Sequence, residues 1–161
     1  AIKIMEKFDE YFQIIETSLA KLGINPVEAR CSEKGQWLLF NGETEIYIDL
    51  WSQSTDTGWL YFKSDEEICI FQVISPVCYL PSEKLETLYE ELLHNNLNLL
   101  NASYTINKDE NMLAVHFRKV ANNLTESDVI ETIESIGFYS ASTLDLLSER
   151  YDVSKIEAEK K

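Results

Sequence analysis

Thiols and imidazoles are the side chains most often recruited for nucleophilic, acid–base and metal chemistry, and both are scarce here. The 161 residues include three cysteines and two histidines, against 28 aspartates and glutamates. Cys31, Cys69 and Cys78 are odd in number and form no C-x-x-C pair. Runs such as Ile68-Cys69-Ile70-Phe71 and Pro76-Val77-Cys78-Tyr79 read as buried, reduced thiols acting as small hydrophobes. His94 falls near the end of a predicted helix, where a cation complements the dipole. His116 alternates with Val115 and Phe117 in a predicted strand and is expected to face solvent with Arg118. Neither histidine has a second His, a Cys or a carboxylate at metal-ligand spacing, so no metal site is expected. Paired carboxylates such as Glu66-Glu67 and Glu90-Glu91 read as solvated faces. No Gly-rich phosphate loop, G-x-S-x-G elbow or H-E-x-x-H motif occurs, so neither catalytic residues nor a cofactor are expected.

Charge narrows the partners. Fourteen basic residues against 28 acidic ones leave a net −14, a field that repels phosphate backbones and anionic lipid heads. Nucleic acid and membrane surfaces are therefore not expected partners. Hydrophobic residues at 45% and charged residues at 26% match ordinary globular chains, and 5 glycines and 3 prolines argue against a loop-dominated or disordered one. No apolar run approaches the roughly 20 residues that span a bilayer. Glu6, Asp9 and Glu10 interrupt the first apolar positions, which is not how a signal peptide reads. Together with reduced cysteines this points to the cytoplasm. The sequons Asn101-Ala102-Ser103 and Asn123-Leu124-Thr125 carry no weight without a secretory signal.

The elements that must position any site are legible in the periodicity. Ile4, Phe8, Tyr11, Phe12, Ile15, Leu19 and Leu22 recur at steps of three and four, predicting an amphipathic helix over 4–22 that Gly23 ends. Between Val27 and Tyr79 the period becomes 2, predicting strands at 27–32, 36–41, 45–52, 58–63 and 67–75, with Asn41-Gly42 a tight hairpin. Parity places Ile46, Ile48 and Leu50 on one face of the third segment, and Tyr47, Asp49 and Trp51 on the other. In the fourth, Leu60 and Phe62 oppose Trp59, Tyr61 and Lys63. The aliphatic face belongs under helices. The aromatic-polar face is either solvated or an interaction surface. The segment around Ile68–Ile74 is apolar on both faces, which suggests a central strand or one covered on its second side.

A second helix is predicted from Ser82, as N-cap, to about Asn95, with Leu85, Leu88, Tyr89, Leu92 and Leu93 in its stripe. Strands at 100–107 and 112–118 follow, joined by Lys108-Asp109-Glu110-Asn111. A last helix begins at Thr125, as cap, with Asp128 reaching back. On its stripe Gly137 either permits close approach to the sheet or kinks the helix. The expected fold class is α+β, an antiparallel sheet with helices layered on it, in the order α-β(meander)-α-β-β-α. One domain is expected over 4–151, with a charged, fraying tail at 152–161.

Over 78–151, Leu80-Pro81, the helix ending Leu92-Leu93-His94-Asn95-Asn96, the strands Ala102-Ser103-Tyr104-Thr105-Ile106 and Leu113-Ala114-Val115-His116-Phe117-Arg118, and Leu124-Thr125-Glu126-Ser127-Asp128 resemble the YbjN-like family. The same layout resembles class I type III secretion chaperones. That resemblance implies a non-enzymatic homodimer that holds an extended segment of another polypeptide, a basic one by charge. It implies the helix of Leu85, Leu88, Tyr89 and Leu92 as the dimer interface, although those leucines would serve equally as ordinary core. The aromatic face with Tyr47, Trp51, Trp59 and Tyr61 is the candidate partner surface. The alternative is a small-molecule sensor with a pocket between helices and sheet. An acidic nucleic-acid mimic ranks last, because the acids are spread over turns and helix backs.

Overall fold

The first twenty-odd residues become helical because their apolar stripe repeats every turn and nothing breaks it before Gly23. In the structure, a computed structural model that describes residues 2–53 and 67–157, helix α1 spans Ile2–Lys21. Its end is a Schellman turn: Gly23 takes φ +78°, its amide donates to Ala20 O at 3.0 Å, and Ile24 N donates to Leu19 O at 3.0 Å.

The strand expected over 27–32 is instead a short helix, α2 (Pro26–Ala29). Local chemistry overrides the apolar alternation: Asn25 caps it by accepting from Val27 N at 3.1 Å, and Pro26 sits at the first helical position. Only an isolated bridge, Arg30 to Trp37, survives of the expected pairing. Strand β1 (Gln36–Asn41) and strand β2 (Thr44–Gln53) flank a two-residue loop in which Gly42 adopts φ +63°. The segment 58–63 lies outside the described residues. Strand β3 (Ile68–Tyr79) runs longer than the expected 67–75.

Helix α3 (Leu85–Asn95) starts later than expected, and Ser82 does not cap it. The chain turns through a left-handed residue at Lys84, whose carbonyl opens the helical ladder by accepting from Leu88 N at 3.0 Å. Strands β4 (Ser103–Asn107) and β5 (Met112–Val120) pair antiparallel, with Tyr104 opposite Val115 and Ile106 opposite Leu113. Asn107 shapes the turn between them by accepting from the amides of Asp109 and Glu110. Helix α4 (Glu126–Arg150) opens on the expected box, Asp128 N donating to Thr125 Oγ1 at 3.1 Å and Thr125 N to Asp128 Oδ2 at 3.0 Å. Within the tail expected to fray, Ser154–Lys155 form a short strand, β6, paired antiparallel with the end of β3.

The sheet order is β1-β2-β3-β5-β4, with β6 beside β3. The protein is thus α+β, an antiparallel sheet carrying helices. The chain divides into two interleaved units, 1–38, 48–72 and 118–131 in one, 39–47, 73–117 and 132–161 in the other. The core of the first includes Ile15, Leu19, Trp37, Phe71 and Val129; that of the second includes Val73, Leu88, Leu113, Ile136 and Leu147.

Candidate partner-binding surface

Strand β2 separates its two faces as the alternation predicts. Ile46, Ile48 and Leu50 are buried, while Tyr47, Asp49 and Trp51 are half-exposed. The second face therefore costs the fold nothing to present, and its chemistry differs between the two units.

In the first unit this face carries a polar relay. The Arg118 guanidinium lies over the Trp51 ring, 5.3 Å from its centroid. The same guanidinium donates twice to Gln72 Oε1, at 2.9 and 2.6 Å, and Gln72 Nε2 donates to Asp49 Oδ2 at 2.9 Å. Trp51 Nε1 donates to Gln53 Oε1 at 3.1 Å. The tryptophan is held flat by its neighbours while part of its surface stays open, the arrangement of a pre-ordered anchor.

In the second unit the face is a trough. A cavity of about 610 Å³ is lined by Glu45, Tyr47, Ile74, Pro76, Tyr79 and Met112, among others. Glu45 is buried, and its carboxylate accepts from Tyr47 Oη at 2.7 Å. Behind it, Ser75 Oγ donates to the Glu45 carbonyl at 2.6 Å and lies 2.8 Å from Ser140 Oγ, which ties β2 and β3 to α4. A neighbouring cavity of about 260 Å³ holds Glu43, Glu45, Asp145, Lys155 and Ile156 in its lining. Sequence reasoning missed Ile74, Pro76 and Met112. The apolar second face of β3 was the available signal, but it did not say whether that face was covered.

Of the four residues proposed for the aromatic face, Tyr47 and Trp51 sit on it in different units, and Trp59 and Tyr61 lie outside the described residues. Of the four proposed for the dimer helix, Leu88 and Leu92 are buried in the chain's own core, and Leu85 and Tyr89 are half-buried. The exposed leucines at this end are Leu93, 71% exposed, Leu97, 82%, and Leu100, 74%. A cavity of about 310 Å³ beside Leu93 is lined by Tyr89, Leu92, Asn96, Tyr104 and Ile106 on α3 and β4.

Titratable groups are shaped by structure. Hydrogen bonds from Arg30 hold the Glu16 carboxyl below the usual carboxylate range, and the Thr125 amide does the same for Asp128. Burial raises the Cys69 thiol and pushes Cys78 up to about 11. Among the described residues no group of three or more His, Cys, Asp or Glu is placed to hold a metal ion, and no helix is long and apolar enough to cross a membrane.

No protein-family model matches the chain, and no curated protein matches it in sequence. Solved structures do match in shape. A chain of the ExoU–SpcU heterodimeric complex from the type III secretion system of Pseudomonas aeruginosa aligns with a TM-score of 0.57 at 12% identity, covering 84% of this chain and 98% of that one. A chain of the HopA1–SchA chaperone–effector complex aligns at 0.56 and 9%, covering 84% and 93%. A chain of the ExsC–ExsE complex aligns at 0.60 and 10%, covering 86% and 94%. At such identities the likeness concerns backbone architecture alone, and that architecture is the one found in type III secretion chaperones.

Proposed function

We propose that this protein is a non-catalytic, cytoplasmic binding module that forms a homodimer and receives an extended segment of another polypeptide on the second face of its sheet. The observation that carries the reading is the trough of Glu45, Tyr47, Ile74, Pro76, Tyr79 and Met112, an open apolar channel with acidic members on a strand surface. Extended peptides bind such surfaces by main-chain pairing and shallow pockets, which needs no catalytic group. The fold shared with chains from a chaperone–effector complex supports the same reading, as does the net charge of −14, which favours a basic client. The YbjN-like pattern over 78–151 belongs to this proposal as a regulatory variant of the same role.

Light scattering followed by pull-down from the native cell lysate at low salt tests it. A dimer retaining one polypeptide at stoichiometric level is expected, and a monomer retaining nothing would overturn it. Trp51→Ala and Trp59→Ala variants should stay folded and lose the client. Retained binding in both would remove the aromatic face from the site.

The apolar cavity of about 310 Å³ between α3 and β4 favours a second reading, a small-molecule sensor. A metabolite screen would then raise the melting temperature, since a ligand bound to the folded state alone stabilises it.

A further inference from the structure

The tail beyond α4 is paired with the end of β3. Leu80 N donates to Asn111 O at 2.9 Å, so β5 flanks one side of the end of β3. On the other side β2 begins at Thr44, and the free edge is taken by β6, with Lys155 opposite Cys78 and Ser154 opposite Tyr79. The Lys155 ammonium contacts the Glu43 carboxylate in the hairpin loop. Ile156, half-buried, lines both the 260 Å³ and the 610 Å³ cavities, and Glu45 and Pro76 are also common to both. The tail therefore contributes to the lining of both cavities while it occupies the edge of β3.

What holds the tail is modest. Upstream it is pinned, Arg150 pairing with Glu91 at 2.5 Å and Tyr151 Oη donating to the same carboxylate at 2.9 Å. Among the described residues from Asp152 onward, the tail is held by two residues of pairing, an ion pair between exposed side chains and the half-buried Val153 and Ile156. Segments secured this lightly open readily without global unfolding.

We infer that Val153–Glu157 is a built-in occupant of this edge of β3, and that the edge takes an extended segment of another polypeptide with the tail's own chemistry: a lysine or arginine that reaches Glu43, followed by an aliphatic residue that fills the place of Ile156. Binding by such a segment requires the tail to leave, so the tail sets an affinity threshold that weak clients do not pass. This inference rests on the polypeptide-binding reading and adds its gate and its sequence preference.

The test uses a fluorescein-labelled peptide copying residues 151–157, titrated with the full chain and with the full chain bearing Lys155→Glu and Ile156→Asp. The released chain should bind the peptide about tenfold tighter or more, because a competing intramolecular segment lowers apparent affinity by the fraction of open molecules. Adding Glu43→Lys should abolish that gain. Equal affinity in the two chains, or no binding by a released chain with unchanged circular dichroism and melting, would overturn the inference. Should the released chain misfold, hydrogen exchange on the native protein decides. Weak protection at residues 154–156, well below that of β3, is expected, and either none or protection equal to β3 would refute it. A client captured equally by both chains would leave the binding function standing and sink the gate alone.

Discussion

Glu16 shows how much one side chain can organise. Its Oε1 accepts from Arg30 Nε at 2.6 Å and from Trp37 Nε1 at 3.1 Å, and its Oε2 accepts from Arg30 Nη2 at 2.8 Å. The Arg30 guanidinium also covers the Phe12 ring, and Phe12 packs on Trp37 with centroids 4.9 Å apart. Since Trp37 is fully buried, Glu16→Ala leaves its indole N–H without an acceptor and should cost about 1–3 kcal/mol in urea unfolding. The pH dependence has a definite sign. Because the folded carboxyl titrates lower than the unfolded one, its stabilisation is complete at neutral pH and is lost as the pH falls through and below about 4.3. The stability gap between the native chain and Glu16→Gln, which keeps an acceptor for Trp37, should therefore shrink as the pH falls below the ordinary carboxylate range. A gap that stays constant as the pH is lowered from neutrality to the acid limit of folding would contradict this in melting experiments. Thiol chemistry is the second residue-scale prediction. With Cys69 and Cys78 buried and Cys31 half-exposed, a thiol reagent at pH 8 should modify Cys31 alone until the protein unfolds. None of this cluster was legible in sequence beyond the helical stripe, since nothing local announces that Glu16, on the polar side of α1, meets Arg30 and Trp37.

At the scale of elements, Gly137 settles what periodicity left open. A Cβ there would stand 3.1 Å from Ile46 Cδ1 and 3.2 Å from Asn41 Nδ2, so the missing side chain permits close approach of α4 to the β1–β2 hairpin. Gly137→Leu should destabilise by about 1–3 kcal/mol through overpacking, whereas Gly137→Ala trades a small shift of two side-chain tips against better helix propensity. Denaturation midpoints of the two variants should separate clearly, and equal midpoints would mean the hairpin yields freely. Helix α1, its glycine stop, the Gly42 hairpin and the Thr125–Asp128 box were all readable because their causes lie within four residues of one another. The misreadings share a cause too. In 27–32 the apolar pattern suggested a strand, but Asn25 and Pro26 start a helix just ahead of it. Ser82 looked like a cap, yet the left-handed turn at Lys84 displaces the helix start.

The molecule as a whole combines a strongly negative field with exposed leucines at the end of α3. Association through this end would bury Leu93, which is 71% exposed in one chain. Leu93→Asp should therefore turn a dimer into a monomer by light scattering without lowering the melting temperature, because the side chain contributes little to the monomer core. Retention of the dimer would move the interface elsewhere. For a basic client, capture should weaken steadily between low and physiological salt, since screening shortens the reach of surface charge to roughly 8 Å. Salt-independent capture would assign the affinity to the apolar trough.

The amino-acid sequence by itself determined the helical stripes, the Gly23 stop, the Gly42 hairpin, the Thr125–Asp128 box and the two-faced character of β2, because each follows from residues close together in the chain: 3.6 residues per helical turn, two per strand repeat. It placed Tyr47 and Trp51 on the second face for that reason. The tertiary structure alone decided what that face is made of. Arg118 reaches Trp51 and Gln72 only because β5 follows β3 in the sheet order, and Ser154–Lys155 become a strand only because β3 leaves an edge beyond Thr44. A two-residue strand has no periodicity to read, and pairing between distant segments is set by topology and packing rather than by any local signal.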